Sequence, residues 1–380
     1  MKPRRLLSFI TAAAALALVS AQALATRSVP PPRGTVYVMS NATDGNAVLA
    51  FNRRADGRLD PAGAFPTRGF GTGGALGNQG SLVLHPNQDF LFAANAGSGQ
   101  ITVFEVLEGG LNLRFVVQAI GLGIGVVRPI SIAVHDRLLY VLNEGVGAGA
   151  DNIVGFEIGP DGVIAPMGST APLSAAQTDP AQIEFSPDGR FLVVTEKATD
   201  IIDVFGLDGD GRIVSAQTAP SAGRTPFGFA FGKRNQVFVS EAAAGAPGGG
   251  SVSSYELSPS GQLDVIRGAV PTAGTATCWV VTSNDGRFAY VTNTGSASLS
   301  AFNIAFEGDL TLRNANGIAG RTGAGTTPID LALSPDQRNL YALDNTRSRI
   351  TVFRVATGGG LNRLQFVDGL PRGANGIAVR

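Results

Sequence analysis

The chain has 380 residues, of which 51 are glycine, with 44% hydrophobic and 15% charged side chains. That is the profile of a turn-rich globular protein and not of a disordered one. Lys+Arg and Asp+Glu both number 29, a balance that excludes a basic surface for nucleic acid or for an anionic membrane.

At the N-terminus, Lys2, Arg4 and Arg5 precede an apolar run from Leu6 to Val19 and the small-x-small triplet Ala23-Leu24-Ala25. Residues 1–25 therefore read as a cleaved export signal, too short to span a membrane with these flanks. Although Arg4-Arg5 is a twin arginine, its surroundings favour the general secretory route. The expected location is the periplasm or the medium. Cleavage removes three positive charges and leaves the mature chain with three more acids than bases. No Cys follows the apolar run, so no lipid anchor is expected. Residues 26–35 form a leader stiffened by Pro30-Pro31-Pro32.

From residue 36 to 380 one pattern is written seven times. An aromatic-centred strand such as Leu139-Tyr140-Val141 or Leu340-Tyr341-Ala342 is followed by a polar loop, a second strand ending in an aromatic, and a Gly turn. The second aromatic falls at Phe51, Phe104, Phe156, Phe205, Tyr255, Phe302 and Phe353, at intervals of 47 to 53 residues. A repeat of that length, all strand and turn, predicts an all-β, seven-bladed β-propeller of four-stranded antiparallel blades. In each blade, strand a precedes the Ser-Pro-Asp-Gly turn, strand b is the aromatic-centred run, strand c carries the second aromatic, and strand d follows the Gly turn. The pattern begins at Val36 with a strand b and ends at Gly376-Ile377-Ala378-Val379 with a strand a. The two ends should share one blade and close the ring. One cysteine, Cys278, and two histidines, His85 and His135, allow no disulfide, haem motif or His/Cys metal cluster, so no cofactor is expected. Both histidines occupy the a–b turn. Gly69-Phe70-Gly71-Thr72-Gly73-Gly74 fits G-x-G-x-x-G but has no helix after it, and Asp208-Gly209-Asp210-Gly211 reads as a hairpin.

Departures from the repeat mark candidate site residues. Strand b ends in Ser40, Asn95, Asn143, Glu196, Glu241, Asn293 and Asp344, so acids replace an amide in blades 4, 5 and 7. One layer of strand a reads Gly376, Ser81, Ser131, Gln182, Gly228, Trp279 and Asp330. Two residues on, Ala378, Val83, Ala133, Ala230, Val281 and Ala332 are interrupted by Glu184. A carboxylate among Ala and Val is costly unless it is paired or its pKa rises, which is the profile of a functional acid. Arg128 and Arg224 precede strands a, and Lys197 follows Glu196. Glu196, Glu241 and Glu184 are the candidate bases, with Arg224, Arg128 or Lys197 as oxyanion stabiliser. Arg128, Lys197, Gln182, Asn143, Trp279, Asp330 and Asp344 are candidate contacts to a small-molecule ligand.

At Tyr290-Val291-Thr292-Asn293 the sequence looks like a YVTN-type repeat, and over residues 36–380 it resembles the seven-bladed propeller lactonase family, which includes bacterial 6-phosphogluconolactonases and fungal carboxymuconate cyclases. The resemblance implies a Pro-Arg-His segment opening a strand a and an Asn-Glu pair ending the next strand b. Asn143-Glu144 fits the second element and adds Glu144 to the candidate contacts. The preceding segment reads Val127-Arg128-Pro129-Ile130, and its counterpart in blade 5 reads Thr225-Pro226-Phe227-Gly228; neither contains His. Two readings follow. The favoured one is a secreted, monomeric lactonase-like hydrolase acting on a small lactone or ester at the channel mouth. The alternative is a non-catalytic propeller that binds a small anionic ligand or a protein.

Overall fold

The computed structural model describes residues 33–119 and 127–380; the expected export signal and all but the last residues of the expected leader lie outside them. The described residues form seven antiparallel sheets. Strands a to d of blade 4 are Pro180–Phe185, Phe191–Glu196, Ile201–Leu207 and Ile213–Pro220, and the other blades repeat this order. Blade 6 alone adds a short fifth strand, Gly320–Arg321, against its strand c. The remaining regular structure is three single turns of 3-10 helix, and among the described residues no helix is long and apolar enough to cross a membrane.

The alternating strand pattern explains the packing. Strands b and c are buried along nearly their whole length, because both faces of each sheet meet a neighbouring blade. Tyr37, Tyr140, Tyr290 and Tyr341 on strands b, and Phe104, Phe156, Phe205 and Phe302 on strands c, are fully enclosed between blades. Strands d are largely exposed on the outside of the ring, as in Ile213–Pro220. The inner strands pack on one another in blade order and return from blade 7 through blade 1 to blade 2. Ring closure is as expected: Asn375–Val379 pairs antiparallel with Thr35–Met39, with Tyr37 opposite Ala378 and Val38 opposite Ile377. The Gly69–Gly74 segment is a loop packed on blade 1, where Gly71 N–H donates to Ala42 O and Gly73 N–H to Asn41 O. Gly211, at φ +80°, closes the predicted hairpin on Asp208 O.

Deleting residues 373–380 would strip this strand from blade 1. It removes the buried side chains of Ile377 and Ala378 and exposes the free edge of Thr35–Met39. At about 1.5–3 kcal/mol for a large buried side chain, plus the lost pairing, the change is a sizeable part of a typical stability of about 5–15 kcal/mol. Thermal unfolding followed by circular dichroism should show a melting point lower by many degrees or outright aggregation; a truncated protein that melts like the intact one would refute this closure.

Candidate active site at the channel mouth

Each inner strand is hydrogen-bonded on one edge only, so its other edge presents backbone N–H groups to the channel that need acceptors. A belt of side chains supplies them from blade to blade. Ser131 Oγ accepts from Ile183 N–H at 3.2 Å, and Gln182 Oε1 accepts from Phe229 N–H at 2.7 Å. Asp330 serves two blades, accepting from Leu331 N–H at 2.9 Å and from Ile377 N–H at 3.2 Å. Burial pushes the Asp330 carboxyl up to about 8, against the pull of those two donors.

Blade 5 has Gly228 in this layer and so cannot contribute an acceptor. The loop between blades 1 and 2 fills the gap. Its segment Gly77–Gly80 crosses the channel mouth, and Gln79 Oε1 accepts from Val280 N–H at 3.2 Å while Gln79 Nε2 donates to Val280 O at 2.9 Å. A Cβ at Gly228 would lie 2.1 Å from Gln79 Oε1 and 2.8 Å from the backbone Cys278 O, so a larger residue would displace Gln79 and press on blade 6. The same segment bonds blades 3, 4, 6 and 1. Asn78 Nδ2 donates to Ile130 O, Gln79 N–H to Ala181 O at 3.0 Å, Trp279 Nε1 to Asn78 O at 2.7 Å, and Asn375 Nδ2 to Asn78 Oδ1 at 3.1 Å. The mouth is therefore plugged by the chain itself.

This plug determines where several predicted residues sit. Trp279 is buried, its ring tilted against that of Phe227 with centroids 4.7 Å apart, and its N–H is spent on the plug. Lys197 is a latch: its Nζ donates to Gly77 O at 2.5 Å and Pro180 O at 3.1 Å, pairs with Asp179 at 3.1 Å, and lies 5.0 Å from the Phe227 ring centroid. Arg224 is exposed at the entry to blade 5.

The strand b ends form a second structural ring. Asn95 holds Thr67 Oγ1 and Thr102 Oγ1, at 2.7 and 2.8 Å, and Asn293 holds Thr277 and Ser300 in the same way. Asn143 donates to Ala119 O at 3.0 Å and Asn152 Oδ1 at 3.1 Å, and Asp344 accepts from Thr327 N–H at 3.0 Å and Arg347 N–H at 2.8 Å. Glu196 and Glu241 occupy the same place and are fully enclosed. Glu196 accepts from Ser174 N–H, Ser174 Oγ and Thr199 Oγ1 at 2.9, 2.5 and 2.5 Å. Glu241 accepts from Gly223 N–H at 3.0 Å and from the hydroxyls of Ser251 and Ser253. Burial raises the Glu241 and Asp344 carboxyls above the usual range, and their donors pull them back.

Blade 4 hides a residue that sequence reasoning missed. Asp203 lies opposite Val194 on strand c, where the matching positions of blades 2, 5, 6 and 7 are Thr102, Ser253, Ser300 and Thr351. Burial first, and the adjacent Glu196 carboxylate second, push the Asp203 carboxyl up to about 8. That interruption of a hydroxyl register was the available signal.

Two of the predicted acids are only partly buried. Glu184 lies on the inner strand of blade 4, beyond the plug, with Gln182 Nε2 donating to it at 3.1 Å. Glu144 lies on the rim of blade 3, opposite Arg128 in the register, and Arg128 Nη1 donates to its Oε2 at 2.9 Å. Both partners are about one-third exposed, at 37% and 31%, so water and a solute reach the pair.

Asp203 makes stability depend on pH. The folded protein binds this proton far more tightly than an unfolded Asp with a pKa of about 3.9. The stabilisation is complete at pH values below that and is lost as pH rises through about 8. Asp203→Ser copies the Glu241–Ser253 arrangement of blade 5. Melting temperatures from pH 5 to 9 should fall less steeply in this variant, which should be the more stable protein at pH 8; parallel curves would refute the buried acid pair.

Comparisons with known proteins agree with this architecture. The model of the family described as Lactonase, 7-bladed beta-propeller matches residues 163–278 and 251–373, together more than half of the chain. A 6-phosphogluconolactonase of Pectobacterium atrosepticum is 24% identical over 299 residues, covering 76% of this chain and 84% of that protein. Among solved structures, the periplasmic gluconolactonase of Pseudomonas aeruginosa superposes with a TM-score of 0.69 at 21% identity, over 91% of this chain and 98% of that one. A protein from Lactobacillus plantarum gives 0.72 at 18% identity, over 91% and 99%. These structures share the fold, and on the match of its blades this chain belongs to the seven-bladed β-propeller lactonase family.

Proposed function

We propose that the protein is an exported lactonase-type hydrolase that opens a small polar lactone at the rim of blade 3, beside the plug. The observation that carries this reading is the solvent-accessible Arg128–Glu144 pair, set at a channel mouth where the other strand b acids are enclosed. The basic start of the chain with its Ala23-Leu24-Ala25 site supports export, and the names of the relatives support a sugar lactone as the substrate class.

Glu144 is the general base in this scheme. It accepts a proton from water as the oxygen adds to the lactone carbonyl, and the Arg128 guanidinium orients the carboxylate and offsets the charge developing on the carbonyl oxygen. The acyl C–O bond then breaks, the ring oxygen takes the proton, and the product is the open hydroxy acid. The plug forms the inner wall, held by Lys197 from blade 4 and by Ile130 O from blade 3. Glu196 and Glu241 are given no base role, because their oxygens are committed to their own loops. The segment Val127-Arg128-Pro129-Ile130 lacks the His that the family resemblance implies, which favours the non-catalytic reading in one respect.

A pH-stat assay of the mature protein on glucono-δ-lactone and 6-phosphogluconolactone, corrected for spontaneous opening, separates these readings. The wild type should accelerate at least one of them, and Glu144→Gln should lower kcat/KM by about a hundredfold or more with the fold intact. Wild-type turnover by that variant overturns the site. Failure of the unmutated protein on every lactone overturns the enzyme and leaves the binding module.

A further inference from the structure

Two residues beyond the plugged layer, about 7 Å along each inner strand, lies the layer that contains Glu184. In this layer Val83, Glu184, Ala230, Val281 and Ala332 keep partial exposure although they sit on the innermost strands of the ring, while Ala133 and Ala378 are buried. On an inner strand whose outer edge is paired, that exposure faces the lumen. The plug lies at the end where the strands a begin, so the lumen can open only toward the a–b turns. Its wall at this level is Ala and Val, with one carboxyl.

That carboxyl lacks a counter-charge. Its protein partner is the Gln182 amide, and among the described residues no cation forms an ion pair with it. The other titratable groups nearby are spent elsewhere. Asp330, one layer up, holds the backbones of blades 7 and 1. In the turns below, Asp188, Asp285 and Asp336 accept from Ser186, Ser283 and Ser334, His85 bonds Asp136 O, His135 lies 3.7 Å from the Asp136 carboxylate, and Arg380 donates to Leu107 O. A divalent cation needs about six to eight oxygen ligands, and no group of three or more His, Cys, Asp or Glu that could hold one exists among the described residues. The site instead matches a ligand with one positive charge and an apolar tail.

We propose that the lumen binds a small primary alkylammonium ion, its nitrogen on the Glu184 carboxylate and its chain along the Ala and Val wall. Burial holds this carboxyl up to about 8, so at neutral pH the incoming cation replaces a proton, which leaves to solvent. This site is separate from the blade 3 rim and does not depend on the lactonase reading.

Calorimetric titration with n-butylammonium at pH 6, 7 and 8 tests it. The ligand stays charged over this range, so the affinity should rise about ninefold from pH 6 to 7 and about fivefold from pH 7 to 8, the signature of one proton displaced from a group near 8. Glu184→Gln, which keeps the shape of the neutral acid and hence the fold, should abolish both the binding and its pH dependence. Ala332→Leu narrows the wall without touching the acid and should weaken binding at every pH. The proposal is overturned if the wild type gives no binding heat at pH 8, if Glu184→Gln binds like the wild type, or if the affinity does not change with pH.

Discussion

Every inner strand of a propeller has a neighbour on one side only, and the backbone donors of the free edge must be satisfied in a confined space. In this protein that need organises the centre of the molecule. Ser131, Gln182 and Asp330 each reach across to the next blade and accept from its backbone. These bonds join blades that share no sheet, so the ring is held by more than the packing of aromatic side chains. Gly228 breaks the belt, and the chain supplies Gln79 from a remote loop in its place.

Solvent-accessible polar groups are displaced outward as a result. A polar channel mouth offers a ready-made ligand site in a propeller, but here the mouth is filled by Gly77–Gly80, whose polar groups bond four blades. The rim of blade 3 keeps a paired cation and carboxylate in reach of water. The acids at the strand b ends have another logic. An amide offers one acceptor and one donor group, whereas a carboxylate can accept three or four bonds. Glu196 and Glu241 appear where the surroundings are all donors: Ser174 and Thr199 in one case, Gly223, Ser251 and Ser253 in the other.

The fold was legible in the sequence because seven-fold repetition turns a weak strand signal into a strong one, and because the orphan strands at Val36 and Gly376 complement each other. The candidate residues were legible as departures from the repeat, but a departure does not disclose its direction. Glu196 and Glu184 are both acids in blade 4, yet one is enclosed by its own loop and the other borders the lumen. The plug was not legible at all. Its Gly-rich segment has the composition of a connector, and its partners lie as far as 297 residues away, at Asn375. Asp203 escaped notice because a single acid inside a strand c has no motif; only register with Thr102, Ser253, Ser300 and Thr351 exposes it.

The closure strand also bears on how the protein is made. Asn41 and Gly373 are hydrogen-bonded across 332 residues of chain. At about 5–20 residues per second that interval takes roughly 17–66 s of synthesis. Throughout it, the hydrophobic strand Thr35–Met39 exists without its inner partner and presents a bare edge of the kind that templates aggregation. The gap between the two ends of the chain is thus a period of vulnerability, and a holding factor that keeps the nascent chain extended until Asn375–Val379 has emerged would act on this strand first.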